Sequence, residues 1–254
     1  MKIKHKKIGS QHILYHESLD TKAQSALFNL SAFDPDHLLK SNCVYREASG
    51  RGPTYFFNQD EKHWVLKHYW RGGVIGKIFN DRYVWRSLET TRAYQELLLL
   101  NTLQNLELPS PIPIAARIIK HGLFYQADII TQAIDNNQSL VQRLKQPADN
   151  ALWQNIGRTI ARFHSNGIYH DDLNAHNILI SERNEISLID FDKGKVIKNG
   201  QQWMSKNLAR LNRSLAKEST KGTINHFNTG NWSALMKGYG MNEDEDKEML
   251  GEKN

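Results

Sequence analysis

One stretch narrows the possible folds of this chain more than any other. It runs Tyr169-His170-Asp171-Asp172-Leu173-Asn174-Ala175-His176-Asn177, and after an apolar segment it is followed by Leu188-Ile189-Asp190-Phe191-Asp192. Upstream, Asn150–Asn166 is a predicted helix, because Leu152, Trp153, Ile156, Ile160 and Phe163 recur at helical spacing and Gly167 stands where a C-terminal cap belongs. Downstream, Asn177–Ile180 and Ile186–Ile189 read as two short strands around a polar turn. Asp172 and Asn177 are five positions apart on a loop leaving a helix, and Asp190 ends a strand 18 positions after Asp172. Three oxygen-bearing side chains are expected to converge at the mouth of a small hairpin. Turn formation accounts for any one of them alone, but not for their joint spacing.

Phosphoryl transfer needs this combination. A carboxylate orients a hydroxyl and accepts its proton, while an amide and a second carboxylate serve as hard-oxygen ligands for Mg2+. The H-x-D-x-x-x-x-N and D-F-x pair is the protein-kinase signature set, which assigns Asp172 as base and Asn177 and Asp190 as metal ligands. Such chemistry also asks for a strand lysine on the ATP phosphates, and Lys67 in Val65-Leu66-Lys67 takes that place. Gly50-Arg51-Gly52 lies between the first two strands of the following reading and fits a short phosphate-approaching loop. The helix partner of Lys67 is expected on Ser87–Leu103, where Glu89 and Glu96 share a face. Glu96, in mid-helix beside the apolar stripe, is preferred, and Glu89 suits the helix dipole.

Residues 42–48, 54–57 and 63–69 read as three strands with tight connections, an antiparallel sheet. Arg117–Ile119 and Phe124–Ile130 read as further strands, with Leu108–Ile114 as a proline-spaced connector. Leu140–Leu144 is a short helix and Trp203–Lys217 the last one. A strand-rich first half and a helix-rich second half predict an α+β, two-lobed fold, which the signature set makes protein-kinase-like. Its expected parts are an N-terminal lobe at 1–132, a small helical catalytic lobe at 133–241 and a disordered acidic segment at 242–254.

The chain has 254 residues and one cysteine, Cys43, which excludes an internal disulfide and fits a reducing compartment. No run approaches the roughly 18 apolar residues of a membrane-spanning helix, and the basic start, MKIKHKKIGSQH, lacks the apolar segment of a secretory signal. Residues 242–254 hold six acids and two lysines, a net of −4 within a whole-chain +6, which leaves +10 on the rest. That balance fits an anionic surface, a phosphorylated or acidic substrate, or nucleic acid, and fits a solvated surface as well. Only 64 residues follow Asp190, without the Ala-Pro-Glu that closes a peptide-kinase activation segment, so a small-molecule acceptor is expected. Asp192 replaces the glycine of Asp-Phe-Gly, as a further metal ligand or as a surface acid.

Tyr69–Trp85 mixes Arg71, Lys77 and Arg82 with aromatic residues and glycines. It suits an anionic lipid surface or an acidic sugar, and equally a packed strand-to-helix connector. The basic stretch Lys193–Lys221, with Arg210 and Arg213, is open to the same two readings.

Over Arg46–Lys217 the chain resembles the bacterial 3-deoxy-D-manno-octulosonic acid (Kdo) kinases of the lipopolysaccharide kinase group. The resemblance rests on Gly50-Arg51-Gly52, Lys67-His68-Tyr69-Trp70-Arg71-Gly72-Gly73, Asp81-Arg82-Tyr83, Arg92-Ala93-Tyr94-Gln95-Glu96, Gly122-Leu123-Phe124-Tyr125, His170–Leu179, Ile189-Asp190-Phe191-Asp192 and Asn207-Leu208-Ala209-Arg210-Leu211. The acidic segment after Tyr239 departs from the pattern. The resemblance implies ATP-dependent phosphorylation of the Kdo 4-hydroxyl on Kdo–lipid A, by a peripheral protein at the cytoplasmic face of the inner membrane. Asp172 is then the base, and Arg71 and Arg82, with Arg51, are expected to meet the anionic groups of the acceptor. Rivals are a lipopolysaccharide heptose kinase or other small-molecule kinase, and a non-catalytic module that binds nucleic acid; no nucleic acid is expected as partner.

Overall fold

The computed structural model describes residues 2–50, 52–71, 81–198, 200 and 202–241. Arg51, residues 72–80 of the Tyr69–Trp85 stretch and the acidic segment 242–254 lie outside the described residues. The chain divides into two compact units, Met1–Asn105 with Pro111–Asp135, and Leu106–Ser110 with Asn136–Asn254. Helices and antiparallel sheet both contribute, and no described helix is long and apolar enough to cross a membrane.

The first unit is organised by period-2 strands. These are β1 (Ile3–Ile8), β2 (Gln11–His16), β3 (Val44–Ser49), β4 (Pro53–Gln59), β5 (Lys62–His68), β6 (Tyr83–Val84), β7 (Pro113–His121) and β8 (Phe124–Gln132). They form one antiparallel sheet in the order β1-β2-β7-β8-β5-β4-β3, with β6 also on β8. β5 pairs with β8 through residues 128–132 and β6 through 124–125, so the chain leaves one edge of β8 and returns to the same edge. Helix α1 (Thr21–Phe28) starts where the Asp20 side chain accepts from the Ala23 N–H, and α2 (Pro35–Lys40) where Asp34 caps and Pro35 takes the first turn. Leu27, Phe33 and Leu38 pack with Ile13, Phe57, Trp64, Leu66, Ala115 and Ile130 on one sheet face. Alternation along β5 puts Trp64 and Leu66 into this core and turns Lys67 to the opposite face. There α3 (Arg92–Asn105) lies on β7 and β8 and buries Ala93, Glu96, Leu97, Leu100 and Leu103.

The basic start forms the β1–β2 hairpin that widens the sheet beside β7. Two expectations need correction here. The helix expected from Ser87 begins at Arg92, since the Thr90 and Thr91 hydroxyls close turns on the Ser87 and Leu88 carbonyls. Glu89 is therefore outside it. The helix at 203–217 is not the last.

The second unit contains β9 (Asn137–Ser139), α4 (Leu140–Arg143), α5 (Asn150–Ser165), β10 (Ile168–Tyr169), β11 (Ile178–Ser181), β12 (Ile186–Leu188), β13 (Lys195–Val196), α6 (Gln202–Thr220) and α7 (Thr229–Tyr239). β11 lies between β12 and β9, and β10 pairs with β13. Helices α5 and α7 cross at glycines. A Cβ on Gly157 would lie 2.0 Å from the Leu235 carbonyl oxygen, and one on Gly238 2.1 Å from that of Gln154.

Candidate active site

Residues 170–177 join β10 to β11, and buried hydrogen bonds fix them. The His170 Nε2 donates to the Ile189 carbonyl (2.9 Å), and its Nδ1 accepts the Asp172 N–H (3.2 Å). Together these require the neutral ring protonated at Nε2, and burial, which lowers the His170 pKa, favours that form. Asn174 and Asn177 both donate side-chain amides to the Asp172 carbonyl (3.1 and 3.0 Å), while the Asn174 Oδ1 accepts the N–H groups of His176 and Asn177. The backbone of Asp172 is thus tied on both sides, and its half-exposed carboxylate projects from a fixed point.

The β11–β12 register continues past the strands, with the Ile189 N–H donating to the Asn177 carbonyl at 3.0 Å. Asn177 and Ile189 are therefore partners at the open end of the hairpin, and Asp190 is one residue beyond. Asp190 is held at φ +63°, in the left-handed region that aspartate tolerates better than most residues. Phe191 is fully buried, 5.7 Å from the Phe163 ring and 4.7 Å from that of His170. Asp192 falls in the turn closed by the Gly194 N–H on the Phe191 carbonyl. Among the described residues no group of three or more His, Cys, Asp or Glu side chains converges. Mg2+ prefers a few hard oxygens with water completing its shell. The Asn177 amide, its nitrogen committed to the Asp172 carbonyl, leaves Oδ1 as a donor, Asp190 adds a carboxylate one residue past the hairpin pair, and this donor set fits.

In the first unit the Lys67 ammonium lies 3.9 Å from the buried Glu96 carboxylate, which also accepts the Tyr69 hydroxyl at 2.5 Å. The Tyr69 ring stands between Lys67 and Arg92, and the Tyr83 ring between Arg92 and Arg71. Cations and rings alternate from Lys67 to Arg71. Arg82 is exposed. Of the Gly50-Arg51-Gly52 triplet, Gly52 has a packing reason to be glycine: a Cβ there would lie 2.0 Å from the Trp70 Nε1. His68, next to Lys67, points to the other face. It bonds Asp128 (2.7 Å) and Asp81 (3.3 Å), and Arg117 holds the second Asp128 oxygen. Burial opposes protonation of His68, but the two carboxylates outweigh it and raise its pKa.

The loop is also read from outside. On α6, Asn207 accepts the His170 N–H and donates to the His170 carbonyl (3.2 and 3.0 Å). Arg210 donates to the Asp172 Oδ1 (3.1 Å), and the Ser214 hydroxyl accepts the Ala175 N–H (3.2 Å). Neither Asn207 nor Arg210 was assigned to the site from sequence, although Asn207, Arg210 and Ser214, at i, i+3 and i+7, share one side of the helix beside its leucine stripe.

The lipopolysaccharide kinase (Kdo/WaaP) family matches residues 37–239. Among similar proteins are the 3-deoxy-D-manno-octulosonic acid kinases of Photobacterium profundum (41% identical; 82% of this chain, 88% of that protein) and Vibrio vulnificus (40%; 93% and 98%). That of Haemophilus influenzae is 44% identical, over 82% of this chain and 89% of its own. With such a match over most of its length, the chain belongs to the lipopolysaccharide kinase (Kdo/WaaP) family.

Proposed function

We propose that the protein is an ATP-dependent kinase of the two-lobed type, which phosphorylates the 4-hydroxyl of Kdo on Kdo–lipid A during lipopolysaccharide core assembly. The observation that carries this reading is the fixed 170–177 loop, with Asp172 projecting from a backbone tied by His170, Asn174 and Asn177. Asp172 orients the sugar hydroxyl and takes its proton as the oxygen attacks the γ-phosphorus and ADP departs. Lys67, steadied by Glu96, holds the nucleotide phosphates, with Gly50 and Gly52 beside them. Asn177 and Asp190 would hold Mg2+, which offsets phosphate charge when bound. Arg71, stacked on Tyr83, and Arg82 meet anionic groups of the acceptor. Exposed Leu123 and Val84, with Lys120 over the Trp85 ring, support peripheral contact with an anionic membrane, which we assign to the cytoplasmic face.

The test is mass analysis of Kdo–lipid A after incubation with protein, Mg2+ and ATP. Gain of one phosphate is expected. Asp172→Ala should lower the rate by about 10²–10⁴-fold while ATP binding persists. Full activity in that variant, or an acceptor preference for heptose over Kdo, overturns the reading.

A further inference from the structure

Arg210 is placed by more than a surface contact. Asn207, one turn before it, makes two buried hydrogen bonds to His170, and Ser214, one turn after, holds Ala175. The guanidinium is therefore delivered to Asp172 by a helix clamped to the loop on either side. Close by, the Tyr169 hydroxyl donates to Asp171, Lys193 lies 4.0 Å from the same carboxylate, and Lys195 covers the Tyr169 ring at 5.4 Å. Asp171 is thus engaged by Tyr169 and Lys193, which leaves Arg210 to Asp172. Both members of the Arg210–Asp172 pair are nearly half exposed, at 45% and 47%. Such pairs are weak and easily exchanged. One N–H of Arg210 meets the Asp172 carboxylate, and a guanidinium presents several more in a planar fork suited to a carboxylate or phosphate.

We propose that Arg210 is a further anion-recognition residue for the acceptor, besides Arg71 and Arg82: it pairs with Asp172 until an anionic group of the acceptor takes it over. The inference rests on reading Asp172 as the base and the acceptor as an acidic sugar. The shared ligand chemistry is an anionic oxygen group, and the Kdo carboxylate and the lipid A phosphates are its two sources.

The experiment uses the full chain and the Arg210→Ala and Arg210→Lys variants with three acceptors: Kdo–lipid A, its Kdo methyl ester, and Kdo–lipid A stripped of lipid A phosphates. The wild type should prefer the acid over the ester by about 10–100-fold in kcat/KM. Arg210→Ala should bring that preference within about threefold through the acceptor KM, and Arg210→Lys should keep part of it. If preference follows the phosphates instead and is lost in the same variant, the assignment stands with phosphate as the source. Unchanged preference in Arg210→Ala overturns it, as does a loss confined to the KM for ATP. Calorimetric binding of free Kdo without ATP separates the two ideas. Binding that needs Arg210, without turnover, upholds the anion site and sinks the kinase reading; turnover with selectivity indifferent to Arg210 does the reverse.

Discussion

His164 illustrates how one side chain sets a condition on the whole protein. It is buried on α5, and its Nδ1 accepts the Tyr239 hydroxyl at 2.8 Å. Burial pulls its pKa from 6.5 down to about 4, and burial pushes the Tyr239 hydroxyl up to about 12. The unfolded chain takes up this proton near pH 6.5 and the folded chain only near 4, so between these values the unfolded state binds more protons. Stability is therefore fully present above pH 6.5 and falls as pH drops toward 4, by on the order of 3 kcal/mol from this residue. His170 shifts in the same direction. His164→Gln should flatten the stability slope in urea unfolding by about 1.4 kcal/mol per pH unit across that window. An unchanged slope would contradict the assignment. His68 works with the opposite sign. Its raised pKa gives stability that is present below pH 6.5 and lost as pH rises through the folded value. At this same scale, Asp172, Asn177 and Asp190 could be grouped from sequence because a loop and a hairpin relate them locally. Arg210 is 38 positions from Asp172 and meets it only through the docking of α6.

Elements differed in legibility for physical reasons. Helix α5 shows its buried stripe because Leu152, Trp153, Ile156, Ile160 and Phe163 all enter a core. Helix α7 hides, since Gly230 and Gly238 weaken helix propensity and only packing against α5 favours the helix there. Strand β1 hides for another reason. At the sheet edge its four central residues, Lys4 to Lys7, are exposed, so no alternation marks it. The Gly157–Gly238 crossing gives a sign test. Ala for Gly in a helix interior normally gains stability, whereas here a Cβ meets backbone at about 2 Å. Gly157→Ala should cost about 1–3 kcal/mol in chemical denaturation, and a stabilised variant would show that the two helices do not meet so closely.

At the scale of the whole molecule, charge and exposed apolar groups come together. Leu123 is 79% exposed and Val84 60%, and the Trp85 N–H donates to the Leu123 carbonyl, which ties them into one corner of the first unit. Lys120 stands 4.9 Å over the Trp85 ring. Apolar tips, an indole and cations suit the interface of an anionic bilayer. The full chain should sediment with phosphatidylglycerol vesicles and not with phosphatidylcholine ones, and Leu123→Asp with Lys120→Glu should reduce sedimentation several-fold. Equal sedimentation of that variant would remove this corner from consideration. The attachment of β5 and β6 to β8 carries a different consequence. His68 pairs with Asp128, the Tyr69 N–H donates to Ala127, and Tyr83 pairs with Tyr125. Tyr69 and Tyr83 are thus anchored two residues apart on one strand. That strand acts as a common ruler: a slip of its 125–128 segment displaces both tyrosines at once, and with them the register that presents Lys67 to Glu96.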